Sequence, residues 1–235
     1  MAFRKILENG RNMMHLTPFN DVTRTLIDEI NAHGTARTFR KGEMCMQGDD
    51  TLHHFYLIVR GRMKVFDMNL DSGREQTYFL LTRGDMFDVV PLLDAQPHDV
   101  MTEALEELSV VELPMAKARE WLHTNPAFNQ LLLPYIAGQM RKLENLAGSL
   151  SLYDTSERLM RLIVDNLDPA TKQPELLNGL SNSEIAKMIG SVRQVVERNL
   201  KALQRDGSIE TGRKQLRVKN LNRLKDKLAR ILPLT

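Results

Sequence analysis

The stretch LSNSEIAKMIGSVRQVVERNLKALQRDGSIE, residues 180–210, places two helical patterns on either side of a single glycine. Ser181, followed three residues later by Glu184, forms a capping-box signature at the start of the first helix. Gly190 permits a sharp reversal of the chain, and a second helix is predicted over about Val192–Arg205. So short a corner holds the second helix in a fixed position, as in a helix-turn-helix.

The second predicted helix has two distinct faces. Its apolar face, expected to be buried, consists of Val195, Val196, Leu200 and Leu203. The opposite face carries residues at i, i+1, i+4 and i+5, which share one side of a helix. Arginine pairs with guanine, and glutamine or glutamate with adenine or cytosine, in the major groove. We therefore predict a base-reading face formed by Arg193, Gln194, Glu197 and Arg198.

The residues around this face predict contacts with phosphates. GSIETGRKQLRV, residues 207–218, reads as a hairpin or wing, and residues 193–230 hold twelve Lys/Arg against four Asp/Glu. Such a basic end on a chain of net charge +2 indicates a polyanion site, although a solvated basic surface is the alternative. The predicted phosphate-contacting residues are Ser181, Ser183, Lys201, Arg213 and Lys214, with a basic helix around Arg223–Arg230.

The first half of the chain has the alternating pattern of strands. From about Thr38 to Pro114, period-two runs are separated by turn signals, including Arg60-Gly61, DSGRE and Arg83-Gly84-Asp85. EELSVVELP, residues 106–114, supplies a further strand, and helical pieces precede the strands around residues 21–33. We predict an antiparallel β-barrel.

After Pro114 the pattern becomes helical. Two spaced series, Ile136, Leu143, Leu150 and Leu132, Leu146, Tyr153, occupy heptad a and d positions, with Gln139 interrupting the second. Such a stripe needs a partner, either the same helix of a second subunit or the barrel. We favour a parallel homodimer seam through Leu132, Ile136, Leu143, Leu146 and Leu150. Pro134 is expected to bend or restart this helix.

Composition sets further limits. The chain has 235 residues, 42% hydrophobic and 26% charged, as expected for a folded protein of two modest domains. Its single cysteine, Cys45, excludes an internal disulfide and a cluster held by several thiolates of one chain, and it is interpreted as a structural thiol. No signal peptide or bilayer-spanning run is seen, so a cytoplasmic protein is expected. No catalytic motif appears, so an enzyme is not expected.

The order of barrel, long helix and winged helix-turn-helix resembles the Crp/Fnr family of bacterial transcription regulators. RGDMF, LYDTSERLMRLI and LSNSEIAKMIGSVRQVVERNLKALQRDGSI carry the resemblance, which extends over nearly the whole chain. In that family the positions matching Arg193, Gln194, Glu197 and Arg198 face the bases. Members with glutamate at the position of Gln194 commonly read TGTGA-like half-sites, so this glutamine puts that half-site in doubt, although Glu197 supplies a carboxylate one turn later.

The resemblance also implies an effector pocket in the barrel. Nucleotide-binding members have Gly-Glu after the Gly-Asp turn and Arg-Ser/Thr near the next strand. Here the matching positions hold Asp88 and Val89, then His98 and Asp99, so the carboxylate for ribose and the arginine for phosphate are missing. Asp99 would repel a phosphate. Cyclic AMP is therefore not expected. The six histidines, His15, His33, His53, His54, His98 and His123, leave haem open, whereas the single cysteine excludes a four-cysteine iron–sulfur cluster.

The sequence thus predicts an α+β chain in three parts: a sensor β-barrel over residues 1–123, a dimerisation helix over 124–154 and a winged helix-turn-helix over 155–235. The expected function is a homodimeric regulator that binds an inverted-repeat operator and responds to a signal sensed in the barrel, with RNA polymerase as a further partner. The alternatives are a constitutive regulator with a ligand-free barrel, and a haem-based gas sensor. A small-molecule-binding enzyme or carrier would instead show turnover and no operator binding.

Overall fold

A computed structural model describes residues 21–46, 50–212 and 215–229. The chain divides into two compact units. The first comprises residues up to 67 together with 78–142, and the second comprises 68–77 and 143 onward. Within the described residues, no helix is long and apolar enough to cross a membrane.

The first unit contains antiparallel strands in two sheets. The strands are β1 (Thr35–Phe39), β2 (His54–Arg60), β3 (Arg62–Met68), β4 (Glu75–Thr82), β5 (Met86–Phe87), β6 (Met101–Ala104) and β7 (Leu108–Pro114). Residue 68 of β3 and residues 75–77 of β4, however, group with the second unit. One sheet has the order β1-β7-β2-β5 and the other β4-β3-β6. The predicted α+β class and N-terminal β domain are confirmed. The ladders of the described residues form two sheets, so a fully closed barrel is not seen.

The predicted turns lie between these strands. Gly61 separates β2 from β3 and Gly84 precedes β5, and both residues have the positive φ that glycine tolerates, 87° and 89°. At Gly61 an added Cβ would lie 2.4 Å from the carbonyl oxygen of Glu107, so the backbones approach too closely for another residue. The DSGRE segment joins β3 to β4.

Strand β2 divides the first unit into two cores. Successive side chains of a strand point to opposite faces. Accordingly, Phe55 and Leu57 pack with a core that includes Trp121 and Phe128. Tyr56 and Ile58 pack in the interior between the sheets. Cys45 is buried in this second core, as predicted, and burial raises the pKa of its thiol to about 12.

The helices of the first unit are α1 (Asp21–His33), α2 (Asp50–His53), α3 (Val89–Asp94), α4 (Met115–Thr124) and α5 (Pro126–Leu152). Helix α5 is the predicted long helix, and its last ten residues group with the second unit. Of the two outcomes expected at Pro134, a bend or a restart, the restart is excluded because the helix is continuous through this residue. Pro134 is exposed, so water can satisfy the carbonyl that loses its intrahelical bond.

The second unit is built from short, well-capped helices. They are α6 (Thr155–Asp165), α7 (Asn182–Met188), α8 (Arg193–Arg205) and α9 (Leu221–Ala229), with a 3₁₀ turn at Glu175–Leu177. A two-stranded hairpin, β8 (Ile209–Gly212) and β9 (Gln215–Val218), lies between α8 and α9. Asp154 and Glu157 form a capping box that starts α6. This order is the predicted winged helix-turn-helix.

Candidate nucleic-acid interface and effector pocket

Helix α7 begins at the capping box predicted from the sequence. The Ser181 hydroxyl accepts a hydrogen bond from the Glu184 backbone amide at 3.2 Å, and the Glu184 carboxylate accepts one from the Ser181 amide. Two amides that the helix leaves unpaired are thereby satisfied. Ile185 and Ala186 on the inner side of α7 are buried at 4% and 2% exposure. Helix α7 is therefore fixed at its first turn and along its inner face.

The corner between α7 and α8 depends on Gly190. Its φ of 61° lies in the left-handed region, and an added Cβ would lie 2.7 Å from Cδ2 of Leu150. The Ser191 amide then donates to the Ala186 carbonyl at 2.9 Å, which closes the turn. The sequence predicted this reversal, and the close approach of Leu150 adds a second reason for glycine.

Helix α8 is anchored by one face. Val196, Leu200 and Leu203 are buried at 0%, 7% and 3% exposure, as predicted, whereas Val195 is only partly buried. Val192 is the N-cap residue and gives no side-chain cap. The anchored face leaves the opposite face of α8 available.

All four predicted base-reading residues lie on the outer side of α8. Arg193, Gln194 and Arg198 are exposed, and the Glu197 side chain is 42% exposed. Glu197 pairs with Lys201 Nζ at 2.9 Å, and this hydrogen bond holds the pKa of the Glu197 carboxyl below its usual value. The surface between Gln194 and Arg205 thus presents arginine, glutamine and carboxylate groups on one helix face, which suits the edges of bases.

The predicted phosphate-contacting residues differ in their surroundings. Ser183 and Lys201 are exposed, while the Ser181 hydroxyl is occupied by the cap of α7. The predictions for Arg213 and Lys214 lie outside the described residues, although the hairpin is confirmed up to the pair Gly212–Gln215.

The basic C-terminal helix is partly used inside its own unit. The Arg223 guanidinium donates to the Asp206 carbonyl, and the Lys227 ammonium pairs with the Asp206 carboxylate. The charged groups of these two residues tie α9 to the end of α8 in the free chain, and the phosphate contacts expected of this helix stay a prediction. The prediction for Arg230 lies outside the described residues.

A surface hollow of about 350 Å³ joins the N-termini of α7 and α8 to the hairpin. Its walls include Ser183, Arg193 and Thr211, with Asn182 and Gln215 alongside. Asn182, Thr211 and Gln215 were missed by sequence reasoning, because only the folded hairpin brings them beside the two helix ends. Two helix N-termini that carry backbone amides favour an anion at such a place.

The structure brings two of the four predicted effector-pocket residues together. Nδ1 of His98 lies 3.2 Å from a carboxylate oxygen of Asp88, and the His98 ring stacks on Phe87 with centroids 5.7 Å apart. The Asp88 side chain is 0% exposed, and its second oxygen has no hydrogen-bond partner among the described residues. Burial raises the pKa of Asp88 to about 6, and the hydrogen bond with His98 acts in the opposite direction.

The other two residues lie elsewhere. Val89 packs against the core that contains Trp121, so its inclusion in the pocket was wrong, and Asp99 is exposed. The position of Val89 follows from Asp88, whose φ of 64° turns the chain into α3. Asp88 and His98 therefore form an internal pair within the β domain.

The residues of the predicted stripe on α5 differ in their exposure to solvent. Leu132 is 0% exposed and packs in the core of its own chain, and Ile136 packs partly against the same core. Leu143 is 43% exposed, and Leu146 and Leu150 are partly buried. Only the later part of the stripe, from Leu143 onward, therefore remains accessible to a partner in the single chain.

Two known protein families match the chain. The cyclic nucleotide-binding domain matches residues 36–125, and the Crp-like helix-turn-helix domain matches residues 157–227. The two matches cover the β domain and the helix-turn-helix described above.

Whole proteins of the same organisation are similar to the chain. The probable transcriptional regulator flp of Lacticaseibacillus casei is 27% identical over 88% of this chain and 92% of its own length. The cAMP-activated global transcriptional regulator Vfr of Pseudomonas aeruginosa is 25% identical over 78% of this chain and 88% of its own length. The structure of FixK2 from Bradyrhizobium japonicum has the same fold, with a TM-score of 0.72 at 22% identity, covering 82% of this chain and 96% of its own. The chain belongs to the Crp/Fnr family of DNA-binding transcription regulators, with a sensory cyclic-nucleotide-binding-like domain.

Proposed function

We propose that the protein acts as a homodimer that binds an inverted-repeat operator by placing one α8 helix of each subunit in the major groove. The observation that carries the proposal is the exposed face of Arg193, Gln194, Glu197 and Arg198 on a helix whose opposite face is buried. A helix presented in this way reads base edges with its N-terminal half. RNA polymerase is the further partner we propose for a regulator of this kind.

The chemistry of the α8 face supports direct readout. Arg193 and Arg198 can each donate two hydrogen bonds to guanine, and Gln194 can pair with adenine. Lys201 is tied to Glu197 in the free chain, so its ammonium can turn to a phosphate only when that ion pair opens. An exposed pair of this kind contributes little to stability, and its rearrangement costs little.

The proposed homodimer rests on the accessible part of the α5 stripe. Leu143 is 43% exposed, and Leu146 and Leu150 follow at heptad spacing. A parallel pair of such helices would bury these side chains as knobs in the holes of the partner helix. Members of the Crp/Fnr family are homodimers.

We propose that the signal is not cyclic AMP. An anionic cyclic phosphate would approach a site that holds the buried carboxylate of Asp88 and lacks the expected arginine, because His98 lies there instead. Vfr is cAMP-activated by name, but this chain lacks the residues that such a ligand needs.

The Asp88–His98 pair favours one alternative, a constitutive regulator with a ligand-free barrel. The pair already fills part of the pocket with protein groups, and His98 stacks on Phe87 as a ring of a ligand would. If the barrel is only a scaffold, breaking the pair with His98→Ala leaves operator affinity unchanged in a chain that remains folded. If it is a sensor, the same change alters operator affinity.

The DNA-binding proposal is tested by replacing Arg193 and Arg198 together with alanine. Fluorescence anisotropy with a selected operator should show specific affinity lost by about 1–3 kcal/mol per base contact, with unchanged circular dichroism. Lys225→Ala, which removes an exposed charge from α9, is the matched control and should retain the preference for the operator over random DNA. A double variant that still selects the same site would overturn the assignment of α8.

A further inference from the structure

A cleft of about 430 Å³ lies in the first unit, on the opposite face of β2 from the core that contains Tyr56 and Phe87. Phe55 and Leu57 line the cleft, whereas Tyr56 packs into the core between the sheets. Because neighbouring side chains of a strand point to opposite faces, the cleft is separate from that core. Helices α1, α4 and α5 and the segment Gly84–Met86 provide the remaining walls.

The wall of the cleft is largely apolar. It includes Ile30, Leu57, Met86, Trp121, Leu131 and Tyr135. Its volume is within the range of small-molecule sites, which commonly combine an apolar lining with a few polar groups. The polar groups here are gathered at one end, where Asp85, Gln139 and Lys142 line the cleft.

The polar end is fixed by a small hydrogen-bond network. The Tyr135 hydroxyl donates to the Met86 carbonyl at 2.8 Å and accepts from the Met86 amide at 3.1 Å. The Asp85 carboxylate accepts from the Thr82 amide at 2.7 Å. The Gln139 side chain also hydrogen-bonds to the Tyr135 hydroxyl. The carbonyl oxygen of Gln139, however, is buried and has no hydrogen-bond partner among the described residues. A buried acceptor without a donor costs free energy, which a ligand donor would recover.

We propose that this cleft binds a small uncharged molecule with an apolar, ring-containing body and one N–H or O–H group that donates to Gln139. An anionic head is disfavoured by the neighbouring Asp85 carboxylate, while Lys142 is exposed at the edge. Helix α5 lines the cleft with residues 130–142 and carries the accessible stripe from Leu143 onward, so occupancy would act on the same helix. The role of the bound molecule as the signal rests on the proposed function.

The test uses N-phenyl-1-naphthylamine, which has an aromatic body and a single N–H donor. Trp121 is the only tryptophan of the chain and lines the cleft, so binding should quench its emission and sensitise that of the probe. Titration of the purified full chain should saturate at one probe per chain. No saturable signal in a folded chain, including the case in which a second copy covers the cleft, would overturn the proposal.

Two glycines of α5 provide a matched pair of variants. An added Cβ at Gly138 or at Gly148 meets nothing within 4 Å, so the backbone accepts a side chain at both positions, and glycine-to-leucine changes also raise helix propensity. Gly138 lines the cleft and Gly148 does not. Gly138→Leu should weaken probe binding about tenfold or more by filling the cleft, and Gly148→Leu should change it less than about twofold. Equal binding by the two variants would contradict the site.

Gln139→Leu tests the polar end. Loss of the acceptor should weaken probe binding about three- to tenfold, as expected for one hydrogen bond. The emission of Trp121 should still be that of a folded unit. Unchanged affinity would show that Gln139 is not the acceptor and would contradict the proposed ligand class. Operator binding is measured on the same preparations. If the unsubstituted chain binds the operator but not the probe, the cleft alone is refuted, and if it binds the probe but no operator, the proposed function alone is refuted.

Discussion

Asp88 and His98 face each other inside the β domain, with Nδ1 of His98 3.2 Å from the Asp88 carboxylate and the Asp88 side chain wholly buried. The two residues stand at the positions where the family resemblance predicts ribose- and phosphate-binding groups. The chain therefore places an internal acid–base pair at this site.

The buried Asp88 predicts a defined pH dependence of stability. Burial raises its pKa to about 6, above the unfolded value of about 3.9, so the folded state binds this proton more tightly. The resulting stabilisation is complete below about pH 4 and is lost as the pH rises through about 6, on the order of 2–3 kcal/mol in all. Asp88→Asn, which tolerates the positive φ, should thus be more stable than the parent above about pH 7, with the difference closing towards pH 4.

Trp121 fluorescence during urea denaturation measures this effect, since the single tryptophan lies in the same unit. The control is Asp71→Asn, which removes an exposed carboxylate from the β3–β4 hairpin. If the free energy of unfolding of both variants follows that of the parent across the pH range, Asp88 is not a buried acid with a raised pKa.

Gln194 should determine which base is preferred at one position of the operator half-site. It is exposed near the N-terminus of α8, where side chains reach base edges. Gln194→Glu exchanges an amide that can pair with adenine for a carboxylate that accepts from cytosine. We expect the preferred base to change at one position of each half-site, at a cost of about 1–3 kcal/mol on the original operator. Sequencing of DNA selected by each form checks this, and identical motifs would argue against contact by this residue.

Ser181 and Ser183 are expected to differ although only one residue, Asn182, separates them. The Ser181 hydroxyl caps α7, so Ser181→Ala should cost about 1 kcal/mol of local stability. Ser183 is exposed, and Ser183→Ala should leave stability unchanged while weakening DNA binding through a lost phosphate contact. Hydrogen exchange of the α7 amides separates the two effects. Equal protection in both variants would contradict the capping role.

The corner at Gly190 should not tolerate a side chain. Gly190→Ala would strain a φ of 61° and bring its Cβ to 2.7 Å from Leu150 Cδ2. We expect a loss of roughly 1–3 kcal/mol in the stability of the second unit, together with weaker operator binding because α8 is displaced. Thermal unfolding followed by circular dichroism measures the first effect. Gly148→Ala, at an open helical position, is the control and should not destabilise.

The proposed homodimer seam predicts that two exposed leucines of α5 respond differently to substitution by glutamate. Leu143→Glu introduces a charge into the proposed seam and should yield a monomer, because a charge in a packed seam is costly. Leu133 is also exposed, at 63%, but lies outside the a and d series, so Leu133→Glu should remain dimeric. Analytical ultracentrifugation distinguishes the two. A dimer that survives Leu143→Glu would place the interface elsewhere.

Local signals made much of the fold predictable. Ser181 with Glu184, Gly190, and the glycine turns between strands act over a few residues, and the structure confirms the elements that they predicted. The apolar face of α8 followed from helical spacing in the same way. These features depend on neighbours in sequence and need no knowledge of the remaining chain.

Long-range contacts explain the errors. The sequence shows a basic helix, but only the fold brings Arg223 and Lys227 to Asp206. Leu132 fits the heptad pattern, yet it is buried in the core of its own chain together with Trp121 and Phe128. Val89 was aligned with the pocket, whereas the turn at Asp88 directs it to the other core. The cleft beside Trp121 had no sequence signal, because α1, α4, α5 and β2 meet there only in the folded chain.

The most direct test of the account is the selection of DNA sites by the purified protein from a random pool, followed by sequencing of the bound fraction. A dimer with two α8 helices predicts an inverted repeat whose half-sites lie about one helical turn, 10–10.5 base pairs, apart centre to centre or a multiple of it. The repeat should be lost from the Arg193→Ala, Arg198→Ala double variant. A pool without an enriched motif, or the same repeat selected by the double variant, would contradict recognition through α8.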